Sequence, residues 1–275
     1  MPCRDDLLPR GIRNRLETQW LARRIYYLRE VDSTNRFAAD LARAGEPHGT
    51  LVVSDYQTGG RGRWDRTWES PGGKNVLFSL ILRPEIETYA ILPVTLVFSV
   101  AVAETLDAIT GREAGVKWPN DVFVEGKKIC GILSEGVSKG RVAVFVIVGI
   151  GVNVNMGTED FPEEIRARSC SCRSLTGLTW DRADVLARLL SALERGYDEF
   201  AREGFVKIVP RYKSRLSILG KTVQFVKSGA ETVGRVLDVG TDGSLIVETT
   251  NGRMALREQE VSLHCDGGES NDPRR

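Results

Sequence analysis

Residues 141–155 read RVAVFVIVGIGVNVN, and no other run narrows the choice of fold as far. β-Branched and apolar residues fill odd and even positions alike, so the extended chain is apolar on both faces. Such a strand belongs in the centre of a sheet. Helical patterns elsewhere can cover it. NRFAADLARA (35–44) follows Asp32 and Ser33, either of which can cap a helix, and stops at Gly45. A buried helix begins in ILPVTLVFSVAVA, with Pro93 near its first turn, and runs to about Ile109 before Gly111. Residues 181–204 start on an aspartate and carry apolar residues at helical spacing. Strands are predicted at Arg24–Val31, Leu51–Ser54 and Asn75–Arg83, with a strand–turn–strand about Glu125–Gly126. The expectation is an α+β fold, a central mixed or antiparallel sheet with helices packed on it, over residues 24–215. Residues 1–23 read as a charged lead-in with a short helix. From about Leu216 short strands alternate with glycine turns, and Asp242–Gly243 and Asn251–Gly252 are hairpin signals. This predicts a small SH3-like β-barrel over 216–264 and a disordered tail over 265–275.

The chain has 275 residues and a formal net charge of +1, so it carries no global attraction to nucleic acid or anionic membrane. Its five cysteines are odd in number and lack framework spacing, which points to reduced thiols and a cytoplasmic location. Cys170 and Cys172 form a C-x-C pair without a second Cys/His cluster to complete a metal site. The apolar stretch Ile91–Ala103 is shorter than the ~20 residues of a membrane span, and no membrane association is expected.

Between two predicted strands lies SDYQTGGRGRWDRTWESPGGKN (54–75). Connections beyond ~12–15 residues are uncommon in compact domains unless functional or disordered. Its glycines allow close backbone approach, and Arg61, Arg63 and Arg66 can converge on one anion. It is not a P-loop, since no G-x-x-x-x-G-K-S/T occurs. A solvated basic loop and an RGG-like segment are the alternatives. In KWPNDVFVEGKKICGIL (117–133), Asn120 and Asp121 stand at a strand start where side chains can enter a cleft. Simple alternation puts Lys128, Cys130 and Ile132 on one face and Lys127, Ile129 and Gly131 on the other. One lysine then faces a site and needs an anion; two surface lysines flanking a turn are the other reading. Ser33 and Thr34 can cap a helix or bind a ligand. Gly149 and Gly151 suggest close approach to the sheet, and Asn153 is read as a structural hydrogen-bonder.

Taken together and in order, DSTN (32–35), QTGGRGRWDRTWESPGGKN (57–75), KWPND (117–121), GKKICGILSE (126–135) and GIGVNVN (149–155) resemble the biotin protein ligases. The resemblance runs from about Arg24 into the C-terminal region, and its glycine–arginine and KWPND runs are specific as a pair. It implies a class II synthetase-like catalytic domain plus the SH3-like domain. It also implies an enzyme that uses ATP and Mg²⁺ to form biotinyl-5′-AMP and then transfers biotin to a lysine of a biotin carboxyl carrier domain. By matching position, Ser33, Thr34, Asn35, Gln57, Arg61, Gly62, Arg63, Lys128 and Gly131 would bind biotin. Arg63, Arg66, Trp68, Asn120, Lys128 and Asn153 would bind ATP or the adenylate. Lys128, Arg63, Arg66 and Asp121 would be catalytic, with Asp121 also the candidate Mg²⁺ ligand. On this resemblance Lys128 is the inward lysine, and alternation then places Cys130 beside it. Gly131, Gly149 and Gly151 would make room for ligand, and Gly59–Lys74 would form a lid. The run before Asp32 is too short for the winged-helix domain of some members, so no specific DNA binding is expected. Monomer and homodimer both occur in the family. A lipoate ligase is the nearest rival, though its arginine–triple-glycine segment is absent; a sensor that keeps biotinyl-AMP without transferring it is another.

Overall fold

The computed structural model describes residues 7–64, 66–84, 91–227, 230–257 and 262–265. In chain order the elements are α1 (Pro9–Arg13), β1 (Ile25–Leu28), α2 (Thr34–Arg43), β2 (Thr50–Ser54), β3 (Val76–Leu82), α3 (Ile91–Thr110) and β4 (Ala114–Lys117). Then follow β5 (Asp121–Val124), β6 (Lys127–Lys139), β7 (Val142–Val152), α4 (Glu163–Arg166), α5 (Cys172–Thr176), α6 (Arg182–Glu203) and α7 (Phe205–Arg215). The C-terminal strands are β8 (Thr222–Lys227), β9 (Ala230–Val239), β10 (Leu245–Thr249), β11 (Gly252–Leu256) and β12 (Ser262–Cys265).

The first sheet has the order β1-β2-β3-β7-β6-β5-β4, parallel only between β1 and β2. β7 sits at its centre, as its two apolar faces require. Ile147 and Phe145 pack on one side with Ala38 and Ala42 of α2. Val146, Val148 and Ile150 join the larger core on the other, with α3 and α6. α3 spans 20 residues, more than the apolar stretch read from sequence, and is long and apolar enough to cross a membrane. Here it is the core helix. Asp181 caps α6 by accepting from the N–H groups of Ala183 and Asp184. Glu125 (φ 51) and Gly126 (φ 74) form the β5–β6 turn with both residues at positive φ, the geometry a tight hairpin needs.

One element differs from expectation. α7 carries Pro210 in its interior and was not visible as a helix; Phe205, Ile208 and Tyr212 bury one face of it. The lead-in carries the short helix α1 and is tied to the core: Glu194 of α6 accepts from the N–H groups of Gln19, Trp20 and Leu21 at 2.6–2.9 Å. The C-terminal strands form one antiparallel sheet, β11-β10-β9-β8-β12, consistent with the SH3-like domain expected there, and its core is continuous with the larger one through Phe225, Val236 and Leu245. The Trp118 indole donates to the carbonyl of Gly243 at 2.9 Å, which joins the two sheets through the KWPND run. The disordered tail expected at 265–275 lies outside the described residues, apart from Cys265.

Candidate active site

The α2 side of the first sheet carries a cavity of about 840 Å³. Its floor is β6 and β7, its rim the 54–75 loop on one side and KWPND on the other. Its walls include the start of α2 and the segment Phe161–Ser169. Ser33, Thr34, Asn35, Gln57, Arg61, Gly62, Arg63, Arg66, Trp68, Asn120, Asp121, Lys128, Gly131 and Asn153 all line it. Residues spread over 120 positions of sequence therefore meet at one place.

One end of the cavity is neutral and polar. Ser33 occupies the N-cap of α2, but its side chain makes no capping hydrogen bond. Gln57 takes that role, its Oε1 accepting from Thr34 N–H at 2.7 Å and from the Thr34 hydroxyl at 3.0 Å. Ser79 donates to Thr34 Oγ1 and Asn35 Oδ1, and the Asn35 amide donates to Glu135 Oε2 at 2.7 Å. These side chains are oriented by one another, so the Ser33 hydroxyl is left to face the cavity.

The other end is charged. Lys128 pairs with Asp121 at 2.7 Å, and its ammonium lies 5.6 Å from the centre of the Trp68 ring. Arg66 and Arg168 are exposed at the rim. Arg61 is turned instead toward the polar end, where it reaches Glu135 beside Asn35 at 3.3 Å. The loop that carries these arginines is a small hairpin at its crown. Arg61 bridges Thr67, Trp68 N–H donates to Gly60 O at 2.9 Å, and Trp64 at the tip has φ 57 and is 55% exposed.

Alternation along β6 fails at one residue, and this corrects the placement of Cys130. Phe123 pairs with Lys128 and Val122 with Cys130, so Ile129 is an extra residue, a β-bulge. Lys128 and Gly131 therefore line the cavity together, while Ile129 and Cys130 are both fully buried in the core on the far face. Burial pushes the Cys130 thiol well above its ordinary range. Cys170 and Cys172 are likewise buried, their thiols pushed up to about 12. No metal-holding group of three His, Cys, Asp or Glu occurs among the described residues.

The floor glycines admit close neighbours, but these are protein side chains. A Cβ on Gly151 would lie 2.7 Å from the Trp68 ring, one on Gly131 would lie 3.0 Å from it, and one on Gly149 would overlap the Asn35 amide. Trp68 lies across the floor with its Nε1 buried and unbonded. Trp118 is instead 2% exposed. Asn120 and Asn153 also spend their amides on backbone carbonyls, of Ile132 and Cys170 at 3.0 Å each. Phe161, Ile165 and Arg168 line the cavity and were not anticipated. Phe161 is extended and precedes α4 while Ile165 lies within it, so no shared periodicity marks the pair in the sequence.

With that geometry in place, the sequence profile of the Biotin/lipoate A/B protein ligase family matches residues 27–153. The bifunctional ligase/repressor BirA of Bacillus subtilis is 34% identical over 92% of this chain and 78% of its own length. The chain belongs to the biotin/lipoate A/B protein ligase family. The biotin–[acetyl-CoA-carboxylase] ligase of Paracoccus denitrificans is 32% identical over 85% of the chain and 98% of its own. Among solved structures, the family member from Aquifex aeolicus in complex with biotin and ATP is 34% identical with a TM-score of 0.77. It covers 88% of this chain, and 99% of its own length is matched.

Proposed function

We propose that this chain is a biotin protein ligase that joins biotin to ATP and passes the biotinyl group to a carrier lysine. The observation that carries the reading is one cavity with a neutral polar end and a cationic end, and Lys128 among the cationic groups. Biotin's ureido ring is uncharged, so the Ser33–Thr34–Asn35–Gln57 end suits it better than ions would. Its carboxylate then reaches Lys128. The triphosphate lies along Arg63, Arg66 and Arg168, and the rings of Trp68 and Phe161 with the apolar side chain of Ile165 suit a nucleobase.

In the first step a biotin carboxylate oxygen attacks the α-phosphorus, the bond from phosphorus to the bridging oxygen breaks, and pyrophosphate leaves. Lys128, Arg63 and Arg66 are placed to offset the charge that develops on the phosphoryl oxygens and the leaving group. In the second step the carrier amine attacks the acyl carbon and AMP leaves. Asp121 holds the Lys128 ammonium and is the carboxylate for the incoming lysine to meet. Two carboxylates, Asp121 and Glu69, line the cavity. That donor set fits Mg²⁺ held chiefly by phosphate oxygens and water, with Asp121 as the protein ligand. When bound, the ion adds positive charge at the phosphates. Asn120, Asn153, Gly62 and Gly131 act by shaping the walls.

The name of the Paracoccus protein, a biotin–[acetyl-CoA-carboxylase] ligase, supports a carboxylase carrier domain as the partner. The repressor activity in the Bacillus name is that protein's own; the ligase half is what is proposed here. A cytoplasmic location fits the reduced cysteines. The test is pyrophosphate release dependent on both biotin and ATP, followed by labelling of a carrier domain. Wild type is expected to do both and Lys128→Ala neither, with its melting temperature little changed. Release that depends on lipoate instead, or full turnover by Lys128→Ala, contradicts the reading.

A further inference from the structure

Arg182 opens α6 and is only 4% exposed. A buried guanidinium stays charged and must be met by oxygen acceptors. Its described partners are the two ends of the 54–75 loop. Asp55 Oδ1 lies at 2.8 Å and the Asn75 carbonyl at 3.2 Å. Asp55 follows β2 and Asn75 precedes β3, so one side chain joins the points where the loop leaves and rejoins the sheet. The joint is reinforced. The Tyr27 hydroxyl donates to Asp55 Oδ2 at 2.5 Å, and Gly73 N–H donates to the Asp55 carbonyl at 3.2 Å. Burial, then the bond to Asp55, pushes the Tyr27 phenol up to about 12, so it stays a donor. Neither Tyr27, Asp55 nor Arg182 lines the cavity.

We infer that Arg182 is a positioning residue: it fixes the pivot of the glycine–arginine loop so that the crown closes squarely over the adenylate and excludes water. The inference rests on the adenylate reading above. When closure is poor, a water oxygen bonds to the acyl carbon of the adenylate and the acyl carbon–phosphate oxygen bond breaks. Biotin and AMP are then freed. ATP is spent without labelling the carrier, and pyrophosphate release exceeds biotin transfer. A residue that only supports stability would not shift that ratio.

Both contacts are made from Nη1 of Arg182, and Arg182→Lys keeps the charge on a side chain one atom shorter, with an ammonium in place of the planar guanidinium. Glu194→Gln is the control. It weakens the same helix at the contact with residues 19–21, away from the loop. Tyr27→Phe, a milder fault at the same joint, is measured alongside. The full-length protein is assayed for pyrophosphate released per biotin transferred, with saturating carrier domain. Wild type and Glu194→Gln are expected near one to one. Arg182→Lys is expected to release at least about threefold excess, since small misplacements of a closing element are costly. Tyr27→Phe is expected to show a smaller excess in the same direction, and its ratio decides the matter if Arg182→Lys does not fold. Folded loop-joint variants that stay at one to one overturn the inference alone, as does an equal excess in Glu194→Gln. A wild type that releases no biotin-dependent pyrophosphate overturns the ligase reading and this inference with it.

Discussion

The root and the crown of the 54–75 loop are built on opposite principles. At the root, Asn75 and Ser70 are buried and hydrogen-bonded, and Asp55 is held by an ion pair to Arg182. The Asn75 side chain accepts from Val154 N–H at 2.9 Å and donates to Ser70 Oγ at 2.9 Å, while Arg182 pairs with Asp55. At the crown, Arg61, Trp64, Arg66 and Thr67 are exposed, and the ion pair from Arg61 to Glu135 is partly solvated. Buried hydrogen-bonded groups are costly to disturb, whereas exposed ion pairs contribute ~0–1 kcal/mol. The lid proposed for this loop would need this division. Its pivot must be fixed and its cover cheap to move.

Substitutions at the two places should therefore fail in different ways. Arg63→Ala, in the crown, should slow adenylate formation by about 10²–10³-fold through lost transition-state charge stabilisation, with little change in melting temperature. Single-turnover kinetics beside a thermal melt would check both halves. Asn75→Ala, at the root, should destabilise the fold by about 2–3 kcal/mol, because Val154 N–H and Ser70 lose a buried partner. Urea unfolding measures it; a loss under about 0.5 kcal/mol would remove the distinction. Trp64→Ser, at the exposed tip, should change stability by no more than about 0.5 kcal/mol. If it unfolds the protein, the crown is not the loosely held piece described here.

Much of this arrangement was legible in the sequence, because the signals were local. Asp181 announced the start of α6, Glu125–Gly126 the hairpin, and residues 141–155 the central strand. The arginine and glycine clusters marked the loop. What was not legible depended on partners far away in the chain. The bulge at Ile129 arises from the pairing of β6 with β5, and without it alternation sends Cys130 to the wrong face. The glycines of β7 promised close approach but could not say by what; Trp68 and Asn35 come from other elements. The bond from the Trp118 indole of KWPND to Gly243 likewise joins residues more than a hundred positions apart. Pro210 hid α7, since a proline usually ends a helix that tertiary packing here sustains.

Amide hydrogen exchange along the loop, with and without biotin plus ATP, tests the central claim most directly. The account predicts that Gly62 and Trp68, whose N–H groups bond only within the crown, exchange quickly alone and become protected with both substrates. Gly73 and Val154, at the root, should be protected in both states. Equal protection of crown and root, or a crown whose exchange ignores the substrates, would contradict it.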